Sequence, residues 1–242
     1  MKKLLSILLL SISLIGYSQT GLSLFAQERV LMEDLTERFE IQYYEGALFN
    51  GVGYSVHSDG QLMSEINYKD GKKDGLSKWW HSNGQLQSDF NYKDGKEDGL
   101  GKWWHSNGQL EQELNYKDGE ADGLLKVWDE NGQLEYESNF KDGKQDGLGR
   151  AWHSNSQLRY EINNKDGELD GLYRKWYENG QLQFEENYKN GKKDGLAKSW
   201  DENGQLQFEE NYKDGKKDGL AKYWTEDGYE YERTYKDGQR IK

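Results

Sequence analysis

The chain has no cysteine and no proline in 242 residues. Without cysteine there is no disulfide framework, no thiolate metal site and no cysteine-linked lipid anchor. Without proline, nothing forces a break in a strand, and polyproline segments are excluded. Positive charge is in deficit, with 32 Lys plus Arg against 44 Asp plus Glu, a net charge of −12. Loss of Lys2 and Lys3 with a leader would take it to −14 (−12 − 2). Such a surface repels nucleic acid and anionic membrane, and neither is expected as a partner. Apolar residues make up only 33%, yet aromatics reach 14%. That balance suits a thin sheet held by aromatic stripes better than a disordered chain.

Long hydrophobic runs are also missing, with one exception. The chain opens MKKLLSILLLSISLIGYSQ, where two lysines precede the apolar stretch Leu4 to Ile15. Small residues stand at Gly16 and Ser18. This pattern predicts a signal peptide over 1–18, cleaved after Ser18. The run is too short to span a bilayer, so no stable membrane insertion is expected after cleavage. The mature chain is expected in the periplasm, at the cell surface or secreted.

What the chain has in abundance is a repeat. The stretch Tyr68 to Asn91, YKDGKKDGLSKWWHSNGQLQSDFN, recurs every 24 residues at Tyr92, Tyr116, Phe140, Asn164, Tyr188 and Tyr212. A worn copy begins at Tyr44 and a partial one at Tyr235. A fixed period of this size means stacked supersecondary units that bury their apolar surface against neighbours. The stretches ENGQLQFEENYK and KKDGLAK each occur twice, within 178–198 and 202–222, which suggests recent duplication. Counting the tyrosine as position zero, glycine holds +3 and +7, and leucine holds +8 and +18, as in Leu76 and Leu86. Tryptophan holds +12, and Lys or Arg holds +10.

Asp-Gly and Asn-Gly pairs mark turns, and the runs between them have strand length. A two-residue loop at Asn-Gly would split the apolar positions between faces. A three-residue loop, Ser82-Asn83-Gly84, pairs Trp80 with Leu86: a type I turn followed by a left-handed glycine. The same logic places Tyr92 opposite Leu100. The even positions then form one Leu–Trp–Leu–aromatic–Tyr stripe, with the Lys/Arg stems at +10 lying over the rings. The odd positions form a polar face, which Trp79 and Trp103 break. The expected fold is all-β: an elongated antiparallel meander of about eight 24-residue hairpins, an open single-layer twisted sheet. Its units start at 44, 68, 92, 116, 140, 164, 188 and 212, and the array fills 44–242. Residues 19–43 are the candidate N-terminal cap. Leu31, Leu35 and Phe39 fit a helix there, while Phe39, Ile41 and Tyr43 fit a strand.

The recurrent DGKxDGL and W-x-x-NGQL elements resemble the MORN-type repeat in its variant bacterial form. The layout of the whole chain is similar to the YwqK-type antitoxin family. That resemblance implies an antitoxin- or immunity-like protein whose array captures a protein partner, toxin-like or from the envelope. It supplies structural positions and no functional residue. An antitoxin for a cytoplasmic toxin is not exported, so export would require a toxin acting elsewhere.

Site chemistry is sparse. All four histidines, His57, His81, His105 and His153, fall at +13. Equivalent positions in neighbouring hairpins lie roughly 10 Å apart, too far for one metal. A solvated, turn-flanking role is expected instead. The D-G-K-K-D-G loops lack the ligands of an EF-hand, since Lys72 and His81 stand at its third and twelfth places from Asp70. Weak calcium binding by the acidic turns is the residual reading. No phosphate loop and no nucleophile stand out from the period. The chain is therefore read as a non-enzyme with no cofactor, metal or catalytic residue. The candidate partner-binding stripe is Trp80, Trp104, Trp128, Trp152, Trp176, Trp200 and Trp224. A single-layer sheet leaves such a stripe open to a partner. Two other classes compete. One is a cell-wall or surface carbohydrate-binding module, the other a self-associating structural envelope protein.

Overall fold

The computed structural model of the chain describes residues 27–225 and 227–242; the expected signal peptide lies outside them. From Gly51 onward the chain is a meander of antiparallel hairpins in one open sheet. In the unit that starts at 68, the strands are Lys72–Trp80 and Leu86–Lys93. Later units repeat them, as in the pair Glu168–Trp176 and Leu182–Lys189.

The three-residue loop is present. Trp80 pairs with Leu86. Gly84 donates its N–H to the His81 carbonyl at 2.9 Å and sits at φ +81°. The second turn departs from expectation. Lys93 faces Lys96 and Tyr92 faces Glu97, not Leu100. Asp94 and Gly95 alone make this turn, with φ of +50° and +90°. Positive φ at both central residues is the type I′ turn, whose twist matches that of the flanking strands. The extra residues Asp98 to Leu100 are absorbed in a bulge opposite Asn91, whose carbonyl accepts the Asp98 N–H at 2.9 Å.

A second irregularity reorganises the faces. Between Trp80↔Leu86 and Trp79↔Ser88 the register skips Gln87. One unpaired residue reverses the parity of its strand. The skip recurs at the same place in later units, for example at Trp104 and Trp128. The expected single stripe is therefore divided. Tyrosine at zero and the residues at +20 and +22 share a face with +5, +9 and +11. Leucine at +8, Lys/Arg at +10, tryptophan at +12, leucine at +18 and Glu/Asp at +21 occupy the other. Trp79 and Trp103 are thus no exceptions, because position +11 belongs to the tyrosine face.

The tyrosine face fills itself by alternating volumes. Along the row of +9 and +22 residues, Ser77, Phe90, Gly101 and Leu114 succeed one another across the strands. Ser77 is fully buried. A Cβ on Gly101 would lie 2.9 Å from the Phe90 ring, so the large neighbour needs the small one.

Residues 29–48 hold strands and one 3-10 turn, not a regular helix. Arg29–Leu31 adds to the sheet parallel to Gly51–Val56. Met32–Asp34 is the 3-10 turn, and three short strands between Thr36 and Leu48 make a small sheet of their own. Together they cover the tyrosine face of the first unit. Val30, Phe49, Ile66 and Tyr68 form a buried cluster there, flanked by Met32, Leu35, Tyr44 and Trp79.

Candidate functional site

The two faces differ in how much they change along the array. The tryptophan face is nearly invariant. Leucine stands at +8 and Lys or Arg at +10 in every unit from 68 onward, with tryptophan at +12. Asparagine holds +23 from Asn67 to Asn211. Structure explains each. From Lys126 to Lys198 the +10 cations pair with +21 carboxylates of neighbouring strands. Arg150 bonds Glu161 at 2.9 Å and Glu137 at 3.3 Å, Arg174 bonds Glu185 at 2.6 Å, and Lys198 bonds Glu209 at 2.6 Å. These side chains form an ion-pair ladder and do not lie over rings as expected. Asparagine at +23 donates to the +8 carbonyl freed by the bulge, as Asn187 does to Leu196 at 3.0 Å and Asn211 to Leu220 at 2.8 Å. The seven predicted tryptophans lie in one row, each paired with a leucine from Trp80↔Leu86 to Trp200↔Leu206. Trp224 ends the row opposite Glu230. All seven are half-buried.

The histidines do more than flank turns. His57 Nε2 bonds the Trp80 carbonyl at 3.0 Å, His81 the Trp104 carbonyl at 2.8 Å, and His153 the Trp176 carbonyl at 3.0 Å. A carbonyl only accepts, so each ring carries its proton on Nε2. Tyr177 replaces histidine and reaches the Trp200 carbonyl at 3.0 Å. Asparagine at +15 adds a second rung, as Asn107 Nδ2 does to the Glu130 carbonyl at 2.7 Å. Where +13 is aspartate both rungs give way to a local cap: Asp129 accepts from the Asn131 and Gln133 N–H groups at 2.9 and 2.8 Å. Asp201 does the same with Asn203 and Gln205. Those backbone bonds, with Gln133's first, hold the Asp129 carboxyl below its ordinary value. The opposite edge is stapled too, since Gly95 N–H donates to the Lys73 carbonyl of the preceding unit at 2.8 Å.

The tyrosine face is where units differ. Position +11 runs Trp79, Trp103, Val127, Ala151, Lys175, Ser199, Tyr223. Position +20 runs Ser88, Gln112, Tyr136, Tyr160, Phe184, Phe208. Toward the N-terminal end it is aromatic: Phe90 meets Trp79 and Trp103 edge-on, with centroids 5.8 and 4.7 Å away. Toward the C-terminal end it is polar and networked. Glu210, 4% exposed, accepts from Tyr212 at 2.7 Å, from Tyr223 at 2.6 Å and from Lys217. Glu186 accepts from Tyr188 at 2.8 Å and Lys193 at 2.5 Å. Burial, and then these hydrogen bonds, push the Tyr188 and Tyr212 hydroxyls well above their usual value.

Sequence reasoning nominates the uniform tryptophans and passes over this variable face. The signal that marks it is variation between units at +5, +9, +11, +20 and +22 amid sameness elsewhere. Among the described residues no group of three metal-ligating side chains converges, and no helix is long and apolar enough to cross a membrane.

No curated protein matches the chain. Six windows match a protein family described as MORN repeat variant: residues 49–70, 73–94, 97–118, 121–142, 169–190 and 193–214. Each window runs from +5 to +2 of the next unit. The series skips the unit where Ser156 replaces the loop glycine and Asn164 the zero-position aromatic, although the hairpin there keeps its register, with Trp152 opposite Leu158. Six windows of 22 residues cover 132 of 242 (6 × 22), and the chain belongs to the MORN repeat variant family.

Proposed function

We propose that this is an exported, non-enzymatic scaffold whose repeat array binds another protein, in the antitoxin- or immunity-like manner implied by its similarity to the YwqK-type proteins. The observation that carries this is the division of labour between faces. Residues that hold the array together recur in every unit on the tryptophan face. Residues that vary from unit to unit gather on the tyrosine face, which a chain with no other task has no need to individualise. Repeat arrays commonly present an extended surface of this kind to a partner.

The test is capture from an envelope fraction with the purified full chain, beside two variants. Phe184→Ala plus Phe208→Ala alters the tyrosine face; Leu134→Ala alters the tryptophan face. A partner retained by the chain and by Leu134→Ala, but lost from the double variant, supports the reading. Capture of nothing above background sinks it. A glycan array binding the chain in place of any protein would favour the carbohydrate-binding class.

One observation favours a second reading, self-association. The alternating Trp–Leu row on the tryptophan face is continuous and only half-buried. Light scattering would then give a dimer whose mass halves with Trp128→Asp plus Trp152→Asp; a monomer at high concentration excludes it.

A further inference from the structure

On the tyrosine face, Ser88 has Trp79 as its direct neighbour on one side and Trp103 on the other. The two indoles stand on strands roughly 10 Å apart, with a short side chain between them. Phe90 closes one end, its ring at 84° to Trp79 and 89° to Trp103. The result is a slot of about 270 Å³ lined by Trp79, Gln87, Ser88, Phe90, Tyr92 and Trp103. Further along the same row a large residue fills the middle place, as Tyr136 does between Val127 and Ala151.

The chain itself shows what such a place accepts. One unit earlier the equivalent serine is Ser64, and residues 32–35 cover it. Ser64 Oγ donates to Met32 Sδ at 3.8 Å. A Cβ on the adjacent Gly53 would lie 3.3 Å from Leu35 Cδ1 and 3.5 Å from Met32 Cγ. Trp79 packs against this cluster and so walls both places. The occupant is a turn that sets two aliphatic side chains on the face with Glu33 and Asp34 between them. A matching charge stands by the slot. The Lys73 ammonium lies 4.8 Å from the Tyr92 ring centre and 5.9 Å from that of Trp79, and among the described residues no carboxylate pairs with it.

We propose that the Trp79–Ser88–Trp103 slot receives a leucine or methionine side chain from a turn of a protein partner, with an adjacent acidic residue of that turn meeting Lys73. This rests on the protein-binding reading and names the place and the chemistry of contact.

The probe is a synthetic peptide of residues 29–38, RVLMEDLTER, titrated into the isotope-labelled full chain while the indole N–H signals are followed. Saturable shifts of Trp79 and Trp103 at millimolar peptide are expected. They should vanish with Ser88→Phe, which fills the slot, and weaken several-fold with Lys73→Glu. Trp103→Val uses the residue the array itself carries at Val127 and should abolish the Trp79 shift, which covers the case in which Ser88→Phe does not fold. No shift of Trp103 in the unaltered chain, or a Trp79 shift unaffected by Ser88→Phe or Trp103→Val, overturns the proposal. A shift of Trp79 alone, meaning exchange with residues 32–35, overturns it as well. The two readings separate cleanly. A partner captured equally by the chain and by Ser88→Phe, with a silent peptide, removes the slot and leaves protein binding standing. Capture of no partner removes the broader reading, while the titration still decides the slot.

Discussion

His105 Nε2 donates to the carbonyl of Trp128 at 2.9 Å, and by that bond the loop of one unit holds the strand end of the next. The contact repeats wherever +13 can reach, so the loop edge is tied by side chains in addition to the backbone ladder.

Removing a rung should loosen one junction and leave the others intact. His105→Ala is expected to cost about 0.5–1.5 kcal/mol, the net contribution of one hydrogen bond. Amide exchange should show the loss confined to the strands around Trp104 and Trp128. A loss spread evenly over the array would mean that the rung is not local.

Adding a rung should do the reverse. At Asp201 the aspartate caps its own loop, and the Trp224 carbonyl has no such donor from it. Asp201→Tyr copies Tyr177 and should gain roughly 0.5–1 kcal/mol if the new hydrogen bond outweighs the lost cap. Denaturant unfolding with slower exchange at Lys222 and Tyr223 would report it.

Ser156 occupies the loop position that glycine holds elsewhere, at φ +64°. An L-residue there is about 1 kcal/mol less favourable than glycine. Its hydroxyl recovers part of that by donating to Gln133 Oε1 at 2.8 Å. Ser156→Gly should therefore stabilise the chain by a net amount of roughly 0.5 kcal/mol. A fall in thermal midpoint would show that the hydrogen bond matters more than the backbone.

Stability should decline at both ends of the pH scale. Burial alone would raise the Glu210 carboxyl, but hydrogen bonds from Lys217, Tyr223 and Tyr212 outweigh it and hold the group below its usual 4.5. Its contribution is full above pH 4.5 and drains away as pH falls through the lowered native value. Tyr188 and Tyr212 are raised above 10.0, so theirs is full below pH 10 and lost as pH climbs through the raised values. Glu210→Gln should cost about 1.5–3 kcal/mol at neutral pH and flatten the acid limb. An unchanged acid limb would mean that other carboxylates control it.

The fold is legible where one local rule decides it. Asn83-Gly84 and the Trp80–Leu86 pairing follow from turn chemistry and parity together. Parity then misleads, because it does not hold along the whole strand. Gln87 looks like any polar strand residue, and nothing in its type announces that it is skipped in the register. The same applies to Asp98 and Gly99, which read as part of one long turn from Asp94 while Asp94-Gly95 alone makes it. The histidines look idle when the test is whether they meet one another. Their partner is a backbone carbonyl, which has no signature in sequence. The variable face is visible only as differences between units, whereas a repeat is recognised by what its units share.

The stapled edges also decide how the array yields to force. Its hydrogen bonds between strands run along the direction in which units are added. Tension between the two ends therefore loads the junctions in series, and the loop edge parts first where it has fewest rungs. Among the described loops that have a following hairpin, Asp129 and Asp201 mark the two that contribute neither histidine nor asparagine rung, and at the first of them Ser156 supplies a single substitute bond to Gln133. Parting of the loop edge would thus begin beside Asp201, between the units that start at 188 and 212, and leave the bonds of Glu210 to Lys217 and Tyr223 on the tyrosine face as the side-chain ties still holding that junction.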